Sequence, residues 1–116
     1  MTITHVLAVA FVSDIDRATT WYEQLLGRPA EARPMETLAD WHVTDGGWLS
    51  VFVDPPRAGG TAVNFAVDDF DQTCRTVRDR GFDVGGAWDT PRGVRLLPLA
   101  DPDGNTITFI GNVVTE

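Results

Sequence analysis

"VSDIDRATTWYEQLLG", residues 12–27, carries its own start and stop. Ser13 and Asp14 offer side-chain oxygens that can accept from the free amides at a helix start. Ile15, Ala18, Tyr22 and Leu25 follow at spacings of three and four, with Leu26 alongside, which puts one apolar stripe on a helix. Gly27 tolerates the positive φ that ends one. The same plan returns in "FAVDDFDQTCRTVRDRGF", residues 65–82, with Asp68-Asp69 as cap, Phe70, Cys74 and Val77 as stripe, and Gly81 as stop. Asp14-Ile15-Asp16 and Asp69-Phe70-Asp71 are offset by 55 residues, and the turns Asp45-Gly46 and Asp103-Gly104 by 58.

Outward from the two helices lie strands. Residues 3–12 read as a buried strand ahead of the first helix. Strands are expected at 30–36, 38–44 and 48–54 after it, with Asp45-Gly46 turning between the last two. Residues 54–60, DPPRAGG, form a linker. The second half repeats this: a strand at 62–67, the helix, then strands at 82–88, 93–99 and 105–111, with Pro91-Arg92-Gly93 and Asp103-Gly104 as turns. The expectation is a single α+β domain over 1–116, built of two tandem βαβββ modules at roughly 1–55 and 61–116. Duplicated units of this size bury faces against each other.

The composition narrows the function. The chain has 116 residues, nine Arg and no Lys, and a net charge of −8, which disfavours a nucleic-acid partner. That charge is compatible with capture of a cation, and it also serves solubility. One cysteine, Cys74, leaves no internal disulfide and fits a reducing cytoplasm. Cys74 sits on the helix stripe and reads as a buried, unreactive thiol. The apolar run 6–12 is too short to span a membrane and lacks the flanks of a signal peptide. A cytoplasmic protein without a membrane partner is expected.

The plan and three stretches, residues 12–27, residues 65–82 and "DPDGNTITFI" at 101–110, resemble the vicinal oxygen chelate superfamily of glyoxalases, bleomycin-resistance proteins and dioxygenases. Trp21-Tyr22 stands where the family usually has Phe-Tyr. The resemblance implies two curved sheets forming a cup-shaped half-barrel, a homodimer, and a ligand near the subunit junction. It also implies, for the enzymatic branches, a divalent ion held by His and Glu from four strands. Counting back from Asp14 and Asp69 places the first-strand positions at Leu7 and Ala62. Counting on from the two Asp-Gly turns places the last-strand positions at Ser50 and Thr108. None of the four is a good divalent-metal ligand, so no metal and no cofactor is expected.

Strand alternation says what such a cup would hold instead. With Leu7, Ser50, Ala62 and Thr108 turned inward, His5 and Val9, Trp48 and Phe52, Asn64 and Ala66, and Thr106 and Ile110 share their face. Trp41 and Trp88 lie on neighbouring strands and would add to the walls, while Arg95 would meet an acidic ligand group or face solvent. The candidate ligand-binding set is therefore His5, Leu7, Trp41, Trp48, Ser50, Phe52, Asn64, Trp88, Arg95 and Thr108. Apolar walls with a few hydrogen-bonding groups suit a small aromatic molecule, and the net charge would favour a cationic one. The leading reading is a binding protein that sequesters an aromatic natural product or antibiotic. Two alternatives stay open: a metal-dependent lyase, isomerase or dioxygenase, and a metal-free enzyme using Asp40, His42 and Arg95 for acid–base chemistry. No catalytic residue is assigned for the leading reading.

Overall fold

Asp14 is the cap of the first helix, its carboxylate accepting from the backbone amides of Asp16 and Arg17. Ser13 does other work: its amide and hydroxyl donate to Asp103, across the chain. The computed structural model describes residues 1–112, so the last four residues of the expected second module lie outside the described residues. The elements run β1 (Val6–Val12), α1 (Ile15–Leu26), β2 (Ala32–Met35), β3 (Leu38–Trp41), β4 (Gly47–Val53), a single 3-10 turn (Pro55–Arg57), β5 (Ala62–Ala66), α2 (Phe70–Asp79), β6 (Trp88–Asp89), β7 (Arg95–Ala100) and β8 (Thr106–Gly111). The architecture is α+β, two tandem βαβββ modules with sheet orders β1-β4-β3-β2 and β5-β8-β7-β6. In each module the first strand pairs in parallel with the last. The sheets do not close into a barrel.

The expected strands shorten where local chemistry competes. The first begins at Val6, not at residue 3. The strand expected at 38–44 ends at Trp41, because residues 42–46 form a loop closed by reciprocal bonds between Thr44 and Gly47. The strand expected at 82–88 is reduced to Trp88–Asp89. There the Asp83 carboxylate accepts from the amide of Gly85, and Ala87 donates to the Val84 carbonyl. Asp and Gly-Gly favour such turns over an extended ladder. Phe82 leaves the sheet and packs edge-on against Trp21, 5.5 Å away.

Both helices feed one core. Tyr22 and Leu25 of α1 and Phe70 and Val77 of α2 are buried with Leu49, Val51, Val63, Leu97, Ile107 and Phe109 from the strands. The helices also touch directly: Arg80 Nη1 donates to the Leu25 carbonyl, and Gln24 Nε2 to that of Arg80. Gly27 closes α1 in the left-handed region, φ 75°, and a Cβ there would run into the Arg80 guanidinium. Every even residue of β1 and every odd residue of β4, β5 and β8 turns toward the helices, leaving the alternate residues on the opposite, open face.

The two modules are locked by the turn that precedes β8. The Asp101 carboxylate, buried, accepts from Tyr22 Oη at 2.6 Å, from Asn105 Nδ2 at 2.8 Å, and from the amides of Asp103 and Asn105. Asn105 then donates to the Phe11 carbonyl and accepts from the Thr61 amide. One buried cluster thus ties α1 and β1 to the start of β5. Burial first, and then the Asp101 carboxylate, push the Tyr22 phenol far above its ordinary pKa.

Tyr22 is the chain's one tyrosine, so its titration can be read directly. A phenol whose pKa is raised on folding adds stability that is intact below the unfolded value of about 10 and is lost as pH climbs above it. Alkaline titration should therefore release tyrosinate absorbance only together with unfolding, and Tyr22→Phe should flatten that pH dependence. Tyrosinate appearing in a still-folded protein near its ordinary pKa contradicts the buried pairing. Gly59 gives a second check. It sits at φ 90°, and a Cβ there would collide with the Asp103 carbonyl oxygen. Gly59→Ala should destabilise the fold by about 1–3 kcal/mol in denaturant titration.

Candidate functional site

The open face is unequal in its two halves. In β1 and β4 the register sets Val9 beside Ser50 and Phe11 beside Phe52, and in β5 and β8 it sets Asn64 beside Thr108 and Ala66 beside Ile110. Overlaying the two ladders matches Leu7 with Ala62, Trp48 with Thr106, Phe52 with Ile110 and Phe11 with Ala66. The first module presents rings, and the second presents small or branched side chains. Asp40, beside Ser50 in the β3–β4 ladder, is matched by Pro98 beside Thr108.

The first half of this face is an aromatic wall with a polar floor. His42 stacks on Trp48, with ring centroids 3.7 Å apart and planes 15° from parallel. His5 meets the same indole edge-on at 4.8 Å. Phe52 and Phe11 continue the wall, 6.5 Å apart, and the Arg57 guanidinium lies 5.0 Å over the Phe11 ring. Between Trp48 and Phe52, Ser50 Oγ donates to Asp40 Oδ1 at 2.6 Å. Asp40 is 7% exposed and Ser50 5%, so the floor is buried between the rings' strands.

A cleft of about 500 Å³ opens where β1 and β5 lie side by side. Their directions oppose. The Phe11 amide donates to Thr61 Oγ1 at one end, while Val6 and Ala8 share the cleft with Ala66 and Val67 at the other. Among the described residues neither strand has a ladder partner on this edge. Trp48 and Asn64 line the cleft, and Phe65 and Phe109 supply apolar walls. A larger recess of about 650 Å³ lies beyond the C-terminal end of α1, lined by Glu23, Arg28 and Arg80. It is an open, charged surface saddle that shares no side chain with the aromatic wall.

Several expected site residues stand elsewhere. Trp41 is not a pocket wall. It faces the helices, is fully buried against Tyr22, and donates its indole N–H to the Arg28 carbonyl. Arg95 also belongs to the helix side, where it lies 4.7 Å over Phe70 and pairs with Asp71 at 2.9 Å and Asp89 at 3.1 Å. Both carboxylates are exposed, and Arg95 stands apart from the aromatic wall. Trp88 stands on the two-residue edge strand β6, 52% exposed and remote in the sheet order from β5. His5 precedes β1 and is exposed, touching the wall only through Trp48. Leu7, Trp48, Ser50, Phe52, Asn64 and Thr108 lie on the open face. The sequence reading passed over Phe11 and the free edges of β1 and β5. Phe11 was legible from the alternation that selected Leu7; the edges were not, since pairing partners are a property of the assembled sheet.

Leu7, Ser50, Ala62 and Thr108, the family's metal positions, do not fit a divalent ion. Two are hydrocarbon and two are hydroxyls, and the Ser50 hydroxyl is already engaged with Asp40. Among the described residues no three His, Cys, Asp or Glu side chains gather as a ligand set. Cys74 is free and half-buried, and burial raises its thiol pKa, so it is a poor nucleophile at neutral pH.

The model of the Glyoxalase/Bleomycin resistance protein/Dioxygenase superfamily matches residues 2–109. The chain belongs to this superfamily. A glyoxalase / bleomycin resistance protein from Catenulispora acidiphila DSM 44928 is similar at 30% identity and a TM-score of 0.86, over 94% of this chain and 98% of that one. TnmS3, an antibiotic binding protein from Streptomyces sp. CB03234, is 27% identical with a TM-score of 0.72, over 96% and 98%. A lactoylglutathione lyase from Agrobacterium tumefaciens has the same fold at 17% identity and a TM-score of 0.74, over 92% of each chain. A search of curated proteins finds no match. The superfamily fold thus serves binding proteins and enzymes alike, and the site has to decide between them.

Dialysis against zinc, nickel or manganese should leave the purified protein with far less than one ion per chain by elemental analysis. A tightly held stoichiometric ion would contradict the donor set described above.

Proposed function

We propose that this protein is a non-catalytic, metal-free binding protein that sequesters a small planar aromatic molecule, a natural product or antibiotic, and that it does so as a homodimer. The observation that carries the reading is the apolar cleft of about 500 Å³, lined mainly by helix-side residues such as Ala8, Val63, Phe65 and Phe109 and bordered by Trp48 and Asn64, through which it adjoins the ringed half of the open face. Its volume falls within the ~300–1,000 Å³ range of small-molecule sites, and it has the expected apolar lining with few polar groups. Asn64 and Thr44 supply hydrogen-bonding groups at the rim, and an indole supplies a flat stacking surface. The similarity to an antibiotic binding protein supports the same reading. The dimer is supported by apolar side chains left in water, Val6 and Leu7 on β1 among them.

A metal-free enzyme is favoured by one observation. His42 Nε2 is buried without a hydrogen-bond partner among the described residues, on the face that carries Asp40. A turnover product recovered from an incubated ligand would favour this second reading.

Equilibrium dialysis against a panel of planar aromatics, acridine and anthracycline and anthraquinone antibiotics included, should find ligands with Kd well below millimolar. Trp48→Ala should weaken binding by about tenfold or more, the scale of a lost aromatic anchor, whereas Trp88→Phe should leave it within about twofold. No binding below millimolar across the panel would sink the proposal.

A further inference from the structure

Asp40 is a carboxylate that the fold does not require. The duplicated module builds the same ladder with Pro98 at the matching position, so holding the third strand against the fourth needs no acid there. The side chain is nevertheless buried to 7% exposure. Its one side-chain partner among the described residues is the Ser50 hydroxyl, at 2.6 Å. A carboxylate has about four acceptor sites, and burying one is costly unless a cation or several donors compensate.

Among the described residues no cation forms an ion pair with Asp40. There is no Lys. The ion pairs among the described residues join Arg28 to Glu31, Arg57 to Asp54, Arg78 to Asp79, and Arg95 to Asp71 and Asp89. Arg57, which reaches the far end of the wall at Phe11, thus has its own carboxylate. Along β4 the open face reads Trp48, Ser50, Phe52, and Asp40 sits beside the middle one. Diagonal neighbours in a ladder are within reach of large side chains, so the acid lies between two stacking surfaces. Stacking alone is indifferent to charge sign in the ligand's substituents. A buried acid between the rings is not.

We infer that Asp40 is the specificity-determining residue of the binding face and selects planar aromatic ligands that carry a positive charge. The inference rests on the binding function proposed above and adds the ligand's charge, which it places on the ringed face that Trp48 joins to the cleft, since Asp40 does not line the cleft itself. A cation stacked on Trp48 or Phe52 is also attracted by the ring face, so the two contributions act on the same ligand.

The test compares two probes of nearly the same shape. N-methylacridinium is a permanent cation, and acridine is neutral at mildly alkaline pH. Equilibrium dialysis of the folded wild-type protein should give N-methylacridinium an affinity at least about tenfold above that of acridine, the lower end of what a buried charge pair supplies. Asp40→Asn keeps the size and an acceptor for Ser50. It should bring the two probes within about twofold by weakening only the cation. Asp79→Asn removes the same unit of charge from the exposed end of the second helix and should leave the preference intact. Asp40→Glu, which retains the charge, should keep most of it. If Asp40→Asn fails to fold by circular dichroism, the wild-type preference measured at low and high salt decides. A preference from a local buried acid survives salt, and one from the overall charge does not. Equal binding of both probes by the wild type, or a preference untouched by Asp40→Asn, overturns the inference while leaving the binding function standing. Failure of both probes to bind removes the binding function and the inference together.

Discussion

The buried carboxylate of Asp101 is the constraint on which the rest of the molecule depends. It collects the Tyr22 hydroxyl, the Asn105 amide and two backbone amides, and through Asn105 it reaches Phe11 and Thr61. Those residues sit on α1, at the end of β1, and at the head of β5. Two modules that could each bury only one face are thereby held in a fixed relation. With β1 pinned to β5 at this end, the strands lie edge to edge, and the cleft opens at the other end. The price of placing an acid in the core is offset by four donors, as a buried charge requires.

The duplication explains how a site can be built without disturbing the fold. The helix-facing residues of the two modules are alike in kind, because both must fill the shared core. The open faces are free of that demand, and they have diverged: Trp48 against Thr106, Phe11 against Ala66, Asp40 against Pro98. One half supplies stacking surface and the other supplies room. The same freedom accounts for the chemistry at Leu7, Ser50, Ala62 and Thr108, where hydrocarbon and hydroxyl occupy positions that metal-dependent relatives would give to imidazole and carboxylate. An open face can hold hydrocarbon and hydroxyl at these positions because it does not contribute to the packing under the helices.

The elements were legible wherever local chemistry and periodicity agreed. Asp14 and Asp69 cap their helices, Gly27 ends the first in the left-handed region, and strand alternation placed Leu49, Val51, Ile107 and Phe109 in the core. Alternation failed where a strand ended early. Trp41 was read as a wall because the third strand's face was not tied to its neighbours, and only its pairing with Leu49 shows that it looks toward Tyr22. The surroundings of Arg95 are likewise set by the assembled sheet, which brings it to Asp71, 24 residues away, as well as to Asp89.

By itself the sequence determined the duplicated βαβββ plan, the superfamily, and the residue types at Leu7, Ser50, Ala62 and Thr108, since these follow from short-range spacing and from the identity of single residues. Tertiary structure alone decided which rings share a face, that Asp40 is buried beside Ser50, and that a cleft runs between β1 and β5. Those are relations between residues far apart in the chain, set by ladder register and by the Asp101 cluster, and no local pattern encodes them.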